Sequence, residues 1–225
     1  MKVFSIFDKS DRQVLLIVFF IGLAGLNALV PSLMSEQLEF LGDQLTTLAQ
    51  WIWHLCYNSF LLFFAVWYGL FMADHFDGKL LMIREAKERR YWKEHVKPVL
   101  GAAVLFGIVA LLVKWAFDFP FAWNQAIYQG TTGTLFYQLF FLMVLVVLSK
   151  LIKIKSPWVA YVIVGLMMGI APYLMKWEFH GWLYLLKSIA FFSPIGIFAS
   201  YITMKRGLMM AIVFQTVAFF IASLI

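Results

Sequence analysis

The sequence DHFDGKLLMIREAKERRYWKEHVK, residues 74–97, decides how this chain is arranged. It contains seven of the 18 Lys and Arg residues, together with five acidic residues and two His, and long apolar runs lie on both sides of it. A segment this polar cannot lie in hydrocarbon, so it must face water at one side of a membrane. Because Lys and Arg gather in cytoplasmic loops, the segment predicts that this side is the cytoplasm.

The composition supports a membrane protein. The 225 residues are 63% hydrophobic and 13% charged, with a mean hydropathy of +0.85, whereas a soluble domain has about 25% charged residues. We therefore expect an all-α polytopic integral membrane protein of the cell membrane. The net charge of +6 does not indicate nucleic-acid binding, because the basic residues cluster at the ends of apolar runs.

The apolar runs predict six or seven transmembrane helices in a single domain, with the N-terminus in the cytoplasm. The expected spans are about residues 14–31, 51–73, 98–117, 133–149, 158–175, 188–204 and 208–225. The sixth run contains Ser193-Pro194, so a span and a re-entrant hairpin are both compatible with it. The charged segment 74–97 is expected to form an interfacial helix, because acidic and basic residues alternate at i, i+4 spacing, as in Arg90 and Glu94.

Few polar residues fall inside the predicted spans. His54 and Asn58 lie one helical turn apart on the second span, and Gln138 and Gln215 are single polar positions on the fourth and seventh. No span contains Asp, Glu or Arg, which argues against an ion-coupled carrier. For His54 and Asn58, both an interhelical hydrogen-bonded pair and a ligand contact are compatible with the sequence.

Sequence patterns of hydrolytic enzymes are absent. The chain has no His-Glu-x-x-His, no Gly-x-Ser-x-Gly and no pair of acids at membrane depth, and its four His are scattered. We expect no catalytic site, no metal and no cofactor. With no glycine-rich phosphate loop in the chain, any ATP-driven work would require a separate subunit.

The charged segment resembles the cytoplasmic loop of type-2 ABC exporter permeases. The likeness consists of an acidic-aromatic pair, a Gly, a leucine-rich turn, two Arg and a closing Lys, which are Asp74, Phe76, Gly78, Leu80, Leu81, Arg89, Arg90 and Lys97. Residues 148–164 are similar to that family's junction between its fourth and fifth spans. Asp74 stands where the family usually has Glu, and Lys79 stands where it usually has Thr.

This resemblance implies a permease subunit whose ATP is hydrolysed by a separate ATP-binding subunit. It implies that this subunit is contacted by the charged segment, with Asp74, Gly78, Lys79, Arg89, Arg90 and Lys97 as the coupling residues. The other expected partners are a second permease copy, or a related one, and membrane lipid. Aromatic residues on the predicted outer side (Trp123, Tyr128, Trp177, Trp182 and Tyr184) suit an amphipathic peptide or lipid-like cargo. A solvated loop that only enforces topology is the alternative for the charged segment.

The last four predicted spans are similar to the CAAX-protease and bacteriocin-processing membrane family. Residues 168–172 resemble its Phe-x-x-x-His motif, and residues 196–215, with a Lys-Arg-Gly turn, resemble the region leading to its final His. The Glu-Glu-x-x-x-Arg motif is absent, Pro172 replaces the required His, and Gln215 is one position out of phase. This resemblance implies a non-catalytic relative that acts as a membrane binding or scaffold protein.

Overall fold

The computed structural model describes residues 15–27, 47–77, 89–175 and 181–224. In these ranges the chain forms seven helices and no strand. We number them α1 (Leu15–Asn27), α2 (Thr47–Asp77), α3 (Arg89–Phe117), α4 (Trp123–Leu151), α5 (Trp158–Met175), α6 (Trp182–Arg206) and α7 (Leu208–Ser223). Each helix contains one of the predicted apolar runs or most of it, which confirms the all-α fold.

Four of these helices are long and apolar enough to cross a membrane. They are α2 over Leu55–Ala73, and α3, α4 and α6 over their whole length. Helices α1 and α7 and the Trp158–Pro172 part of α5 are apolar but shorter than the roughly 20 residues that cross a bilayer without help from flanking residues. The chain therefore has helices suited to a membrane, while the number of crossings and the side of the N-terminus stay predictions.

The charged segment does not form a separate interfacial helix at either of its described ends. Asp74–Asp77 complete α2, and Arg89–Lys97 form the first turns of α3, which continues through Pro98; residues 78–88 lie outside the described part. The predicted third span, 98–117, is the later part of this helix, which starts nine residues earlier. Proline removes one backbone donor, but here it lies next to the charged turns at the expected membrane surface, where water can satisfy the carbonyl of Glu94.

Helix α4 begins at Trp123, ten residues before the predicted span 133–149. At its start the side chain of Gln125 accepts a hydrogen bond of 3.0 Å from the backbone N–H of Ala122. Of the two alternatives for the sixth apolar run, the structure favours a continuous helix over a hairpin, because α6 is unbroken from Trp182 to Arg206 and Pro194 lies inside it. Membrane helices tolerate proline when neighbouring groups compensate for the missing donor.

Helices α5 and α6 pack closely because glycines line their contact. A Cβ on Gly165 would lie 2.8 Å from the backbone oxygen of Ser193, and a Cβ on Gly196 would lie 3.0 Å from the Cα of Gly165. Small residues permit this approach between membrane helices, where dispersion contacts replace the hydrophobic effect as the driving force. The contact fixes α6 against α5 along the region that contains the Ser-Pro pair.

Aromatic rings fix one end of the bundle. Phe119 and Phe121, which follow α3, pack on Phe191 of α6 with ring centroids 5.1 and 4.9 Å apart. Phe219 of α7 joins them at 5.5 Å from Phe121. The chain reverses after α3 at Asp118, whose φ is 49°. Since α3 starts at Arg89, this aromatic end lies opposite the charged turns.

Candidate functional site

The buried Ser, Thr and Gln side chains in the described part of the chain all lie on α4, α6 and α7. They are Thr132, Thr134, Gln138, Ser188, Ser193, Ser200, Thr203 and Gln215, and none of them carries a charge. We call Thr134, Gln138, Ser200 and Gln215 the polar seam, because hydrogen bonds join them in pairs across helices. Two of the four intramembrane residues singled out in the sequence, Gln138 and Gln215, thus belong to one buried region.

Both polar atoms of the Gln138 carboxamide have a partner within the seam. When the hydroxyl of Ser200, which also lies 2.9 Å from the carbonyl oxygen of Gly196, donates its 2.8 Å hydrogen bond to Gln138 Oε1, Gln138 Nε2 donates one of 3.3 Å to that carbonyl oxygen. Both partners are on α6, so the carboxamide joins α4 to α6. Interhelical hydrogen bonds of this kind contribute about 0.6 kcal/mol on average in membrane proteins. Gln138 is therefore explained as a structural link.

Gln215 is only half satisfied. Thr134 Oγ1 lies 3.0 Å from Gln215 Oε1 and 2.7 Å from the carbonyl oxygen of Gly130, while Gln215 Nε2 has no partner. A threonine hydroxyl has one proton, so it donates to one acceptor at a time. If it donates to Gly130, the Gln215 amide must turn its Nε2 to Thr134, and Oε1 then loses its partner. In both amide orientations, one buried polar atom of Gln215 stays without a hydrogen bond.

Other unpartnered groups lie on the same two helices as the Thr134–Gln215 pair. Gln129 Oε1 and Thr216 Oγ1 are also buried without a hydrogen-bond partner. A Cβ on Gly130 would lie 2.4 Å from Thr216 Oγ1, which shows that the start of α4 and the middle of α7 touch there. Each unpaired buried polar group costs about 1–3 kcal/mol. Gln129 and Thr216 are half-buried residues, so this end of the seam approaches the surface of the bundle.

The backbone of α4 is unusual at the seam. Gln129–Gly133 and Leu135–Phe141 are π-helical, with hydrogen bonds from residue i+5 to residue i. Such stretches turn side chains out of the α-helical register and occur frequently at functional sites. Gln129 and Gln138 both lie in them, so the π-helical backbone helps to set where the seam's polar groups point.

The second-span candidates are not joined to the seam. Asn58 is half-buried on α2, and within the described residues no hydrogen bond links it to Gln138 or Gln215. The side chain of His54 lies outside the described residues. The two alternatives for this pair therefore stay predictions.

The charged turns of α3 are attached to the end of α6. Tyr91 is buried, and its hydroxyl donates a hydrogen bond to the carbonyl oxygen of Arg206. Arg206 Nη1 lies 3.3 Å from Nδ1 of His95, and since a guanidinium group only donates, Arg206 is the donor in a hydrogen bond between them. Tyr91 thus satisfies one of the carbonyls that a helix C-terminus leaves without an intrahelical donor.

The coupling residues are only partly described. Arg89, Arg90 and Lys97 are exposed on the first turns of α3; Gly78 and Lys79 and the side chain of Asp74 lie outside the described residues. Arg90 Nε lies 2.7 Å from Glu94 Oε1, which confirms that predicted pair. The Arg90 guanidinium holds the pKa of the exposed Glu94 carboxyl below its usual range. These turns present charge to water and are anchored to the bundle through Tyr91.

Groups able to hold a metal do not come together in the described ranges: no three His, Cys, Asp or Glu side chains there cluster. The seam instead provides amides and hydroxyls, which bind by hydrogen bonding. The sequence analysis did not identify Thr134, Ser200 and Thr216 as candidate site residues. The available signal was spacing: Thr134 precedes Gln138 by one helical turn, and Ser200 follows Gly196 by one helical turn. Comparisons with protein-family models, curated proteins and solved structures found no match to this chain.

Proposed function

We propose that this chain is a membrane-embedded binding or scaffold protein that receives a polar group of a partner at the α4–α7 contact, which the half-buried Gln129 and Thr216 make accessible. The observation that carries the proposal is the Gln215 amide, one atom of which has no hydrogen bond although the residue is fully buried. Buried polar groups in proteins are nearly always paired. The free protein bears the desolvation penalty of this unpaired atom. A partner that supplies the missing hydrogen bond removes the penalty, which increases the affinity for that partner.

Two further features support this proposal. The unpartnered atoms of Gln129 and Thr216 lie on the same two helices, so the partner would meet several hydrogen-bonding groups. Residues 196–215 also resemble the CAAX-protease and bacteriocin-processing family, without its acidic motif and with Gln215 near the position of its final His. On this proposal the chain is a non-catalytic relative that keeps the binding surface.

The test compares the complex formed by the wild-type chain with that of a Gln215→Leu variant, after gentle extraction from native membranes. We expect the wild type to migrate as an assembly larger than the isolated chain, and Gln215→Leu to lose it while its thermal midpoint is kept. Asn58→Leu is the matched control, because it removes a half-buried carboxamide outside the seam. A Gln215→Leu variant that keeps the wild-type assembly would contradict the proposal.

The permease subunit of an ABC exporter is the second candidate function, favoured by the attachment of the charged turns. Movement of residues 89–97 by an ATP-binding subunit would be transmitted along α3, and through the Tyr91–Arg206 bond to the α6–α7 junction. Trp123 and Trp182 at the opposite end are 63% and 79% exposed, which suits an amphipathic peptide or lipid-like cargo. The unbroken α6 weighs against the six-span arrangement of that family.

A charge reversal tests this second function. Arg89→Glu with Arg90→Glu should leave insertion intact, because the other bases remain, and should release a copurifying ATP-binding subunit, because like charges at an interface cost several kcal/mol. The control reverses Lys150 and Lys153 in the turn between α4 and α5. If no ATP-hydrolysing partner copurifies with the wild type, the permease function is rejected.

A further inference from the structure

The turn between α4 and α5 carries three lysines in six residues. Lys150, Lys153 and Lys155 are all exposed, and the sequence contains no Asp or Glu from residue 119 to residue 177. The rings of Trp158 and Tyr201 stack at 6.0 Å with an angle of 10° between their planes. Because Lys205 follows Tyr201 by one helical turn, this stacking places the exposed Lys205 at the same end of the bundle.

Lys153 occupies a backbone position that favours glycine. Its φ is 61°, its N–H bonds to the carbonyl of Lys150 at 3.2 Å, and the N–H of Ile154 bonds to Ser149 at 2.8 Å. This pair of bonds is the Schellman motif, which ends a helix with a left-handed residue that is usually Gly and sometimes Asn. A side chain with a Cβ is disfavoured in this conformation. A lysine there retains a positive charge at the expense of backbone strain.

Apolar side chains alternate with these lysines. Leu151 and Ile152 are 70% and 67% exposed, and Trp158 is 52% exposed. Long lysine side chains extend from apolar surroundings towards charged headgroups, and basic residues at the membrane-facing end of apolar helices bind anionic lipids. A soluble anion would be held by the lysines alone, whereas a lipid also covers the apolar side chains.

We propose that the α4–α5 turn, together with Lys205, binds the headgroup of an anionic phospholipid. The ammonium groups of Lys153, Lys155 and Lys205 pair with the phosphate, and Leu151, Ile152 and Trp158 contact the upper part of the acyl chains. The strained Lys153 is retained because it adds a charge at the centre of this surface. The proposal does not depend on whether the chain acts as a scaffold or as a permease.

The test measures thermal unfolding of the purified full chain in an uncharged detergent during titration with phosphatidylglycerol or phosphatidylcholine. We expect phosphatidylglycerol to raise the midpoint and phosphatidylcholine to leave it unchanged. Lys153→Gly should fold at least as well as the wild type, because it relieves the left-handed strain, yet weaken the apparent affinity for phosphatidylglycerol about fivefold, the effect of one basic residue at an anionic surface. Lys155→Gln should weaken it similarly without altering the strained position.

Asp118→Gly is the matched control. Asp118 also has a left-handed φ, of 49°, but it follows the C-terminus of α3, at the end of the bundle opposite the α4–α5 turn. This variant should therefore keep the wild-type affinity for phosphatidylglycerol. The proposal is overturned if phosphatidylcholine stabilises the chain equally, if inorganic phosphate alone reproduces the effect, or if Lys153→Gly and Lys155→Gln both bind like the wild type. If Lys153→Gly fails to fold, Lys155→Gln decides.

Discussion

The hydroxyl of Ser200 on α6 donates a hydrogen bond of 2.8 Å to Oε1 of Gln138 on α4, a residue 62 positions earlier in the sequence. Gln138 Nε2 donates a hydrogen bond to the Gly196 carbonyl oxygen, so both polar atoms of its carboxamide have a partner. Gln215, in the same buried region, has one amide atom unused. The two glutamines are equally buried, but both polar atoms of Gln138 are paired and one of Gln215 is not. Substituting each one should therefore have a different effect on stability.

Replacing each glutamine with leucine should change stability in opposite directions. Gln138→Leu removes two interhelical hydrogen bonds and leaves the Gly196 carbonyl to Ser200 alone, so we expect a loss of about 1–2 kcal/mol in unfolding free energy. Gln215→Leu removes an unpaired buried group, so we expect no loss or a small gain. Unfolding by a denaturing detergent measures both. Equal destabilisation by the two substitutions would show that Gln215 is paired in the folded chain.

Much of the helical arrangement can be predicted because apolar length and charge determine it. The predicted span 158–175 coincides with α5, since Pro157 precedes it and no charge interrupts it. At Pro98 and Pro194 local propensity indicates a break in the helix, but the helix continues through both residues. Packing decides such positions: α6 is held against Gly165 and Gly169 on both sides of its Ser-Pro pair, and a single sequence does not reveal this contact.

The seam could be predicted only in part. Gln138 and Gln215 are conspicuous as amides in apolar runs, but their partners are hydroxyls and backbone carbonyls, which occur throughout the sequence. The π-helical backbone of α4 also carries no clear sequence signal apart from Gly130 and Gly133 beside three threonines. Side-chain orientation there depends on hydrogen-bond register, so pairing at the seam follows from tertiary structure.

Two glycines in similar helical positions should respond oppositely to alanine. A Cβ on Gly165 would lie 2.3 Å from Cγ1 of Ile197 and 2.9 Å from its backbone nitrogen, so Gly165→Ala must push α5 and α6 apart, at a cost of about 1–3 kcal/mol. A Cβ on Gly101 meets nothing within 4 Å, so Gly101→Ala should be neutral or gain up to about 1 kcal/mol. The difference between their thermal midpoints is the measurement. A stable Gly165→Ala variant would exclude the close α5–α6 contact.

Removing one hydroxyl should loosen the charged turns of α3. Tyr91→Phe keeps the buried ring but deletes the donor to the Arg206 carbonyl, so we expect a loss of about 1 kcal/mol in stability and faster amide exchange in residues 89–97. Tyr68→Phe is the control, because in the described structure Tyr68 contributes ring contacts with Phe64, Phe71 and Phe140. Exchange rates that do not differ between the two variants would show that the hydroxyl does not anchor these turns.

The distribution of bases predicts which end of the bundle faces the cytoplasm. The start of α3, the α4–α5 turn and the α6–α7 junction all carry Lys or Arg and lie at one end, whereas Asp118 and the exposed Gly181 are placed at the opposite end of the long helices. Because positive residues are retained in the cytoplasm, cysteines at Asp118 and Gly181 should react with an impermeant reagent added outside intact cells. A cysteine at Lys153 should react only after the cells are opened.

In all of these variants Cys56, which is exposed, is first replaced by alanine. External labelling of Lys153→Cys, with none at the other two positions, would invert the orientation. It would also place the proposed lipid surface in the outer leaflet.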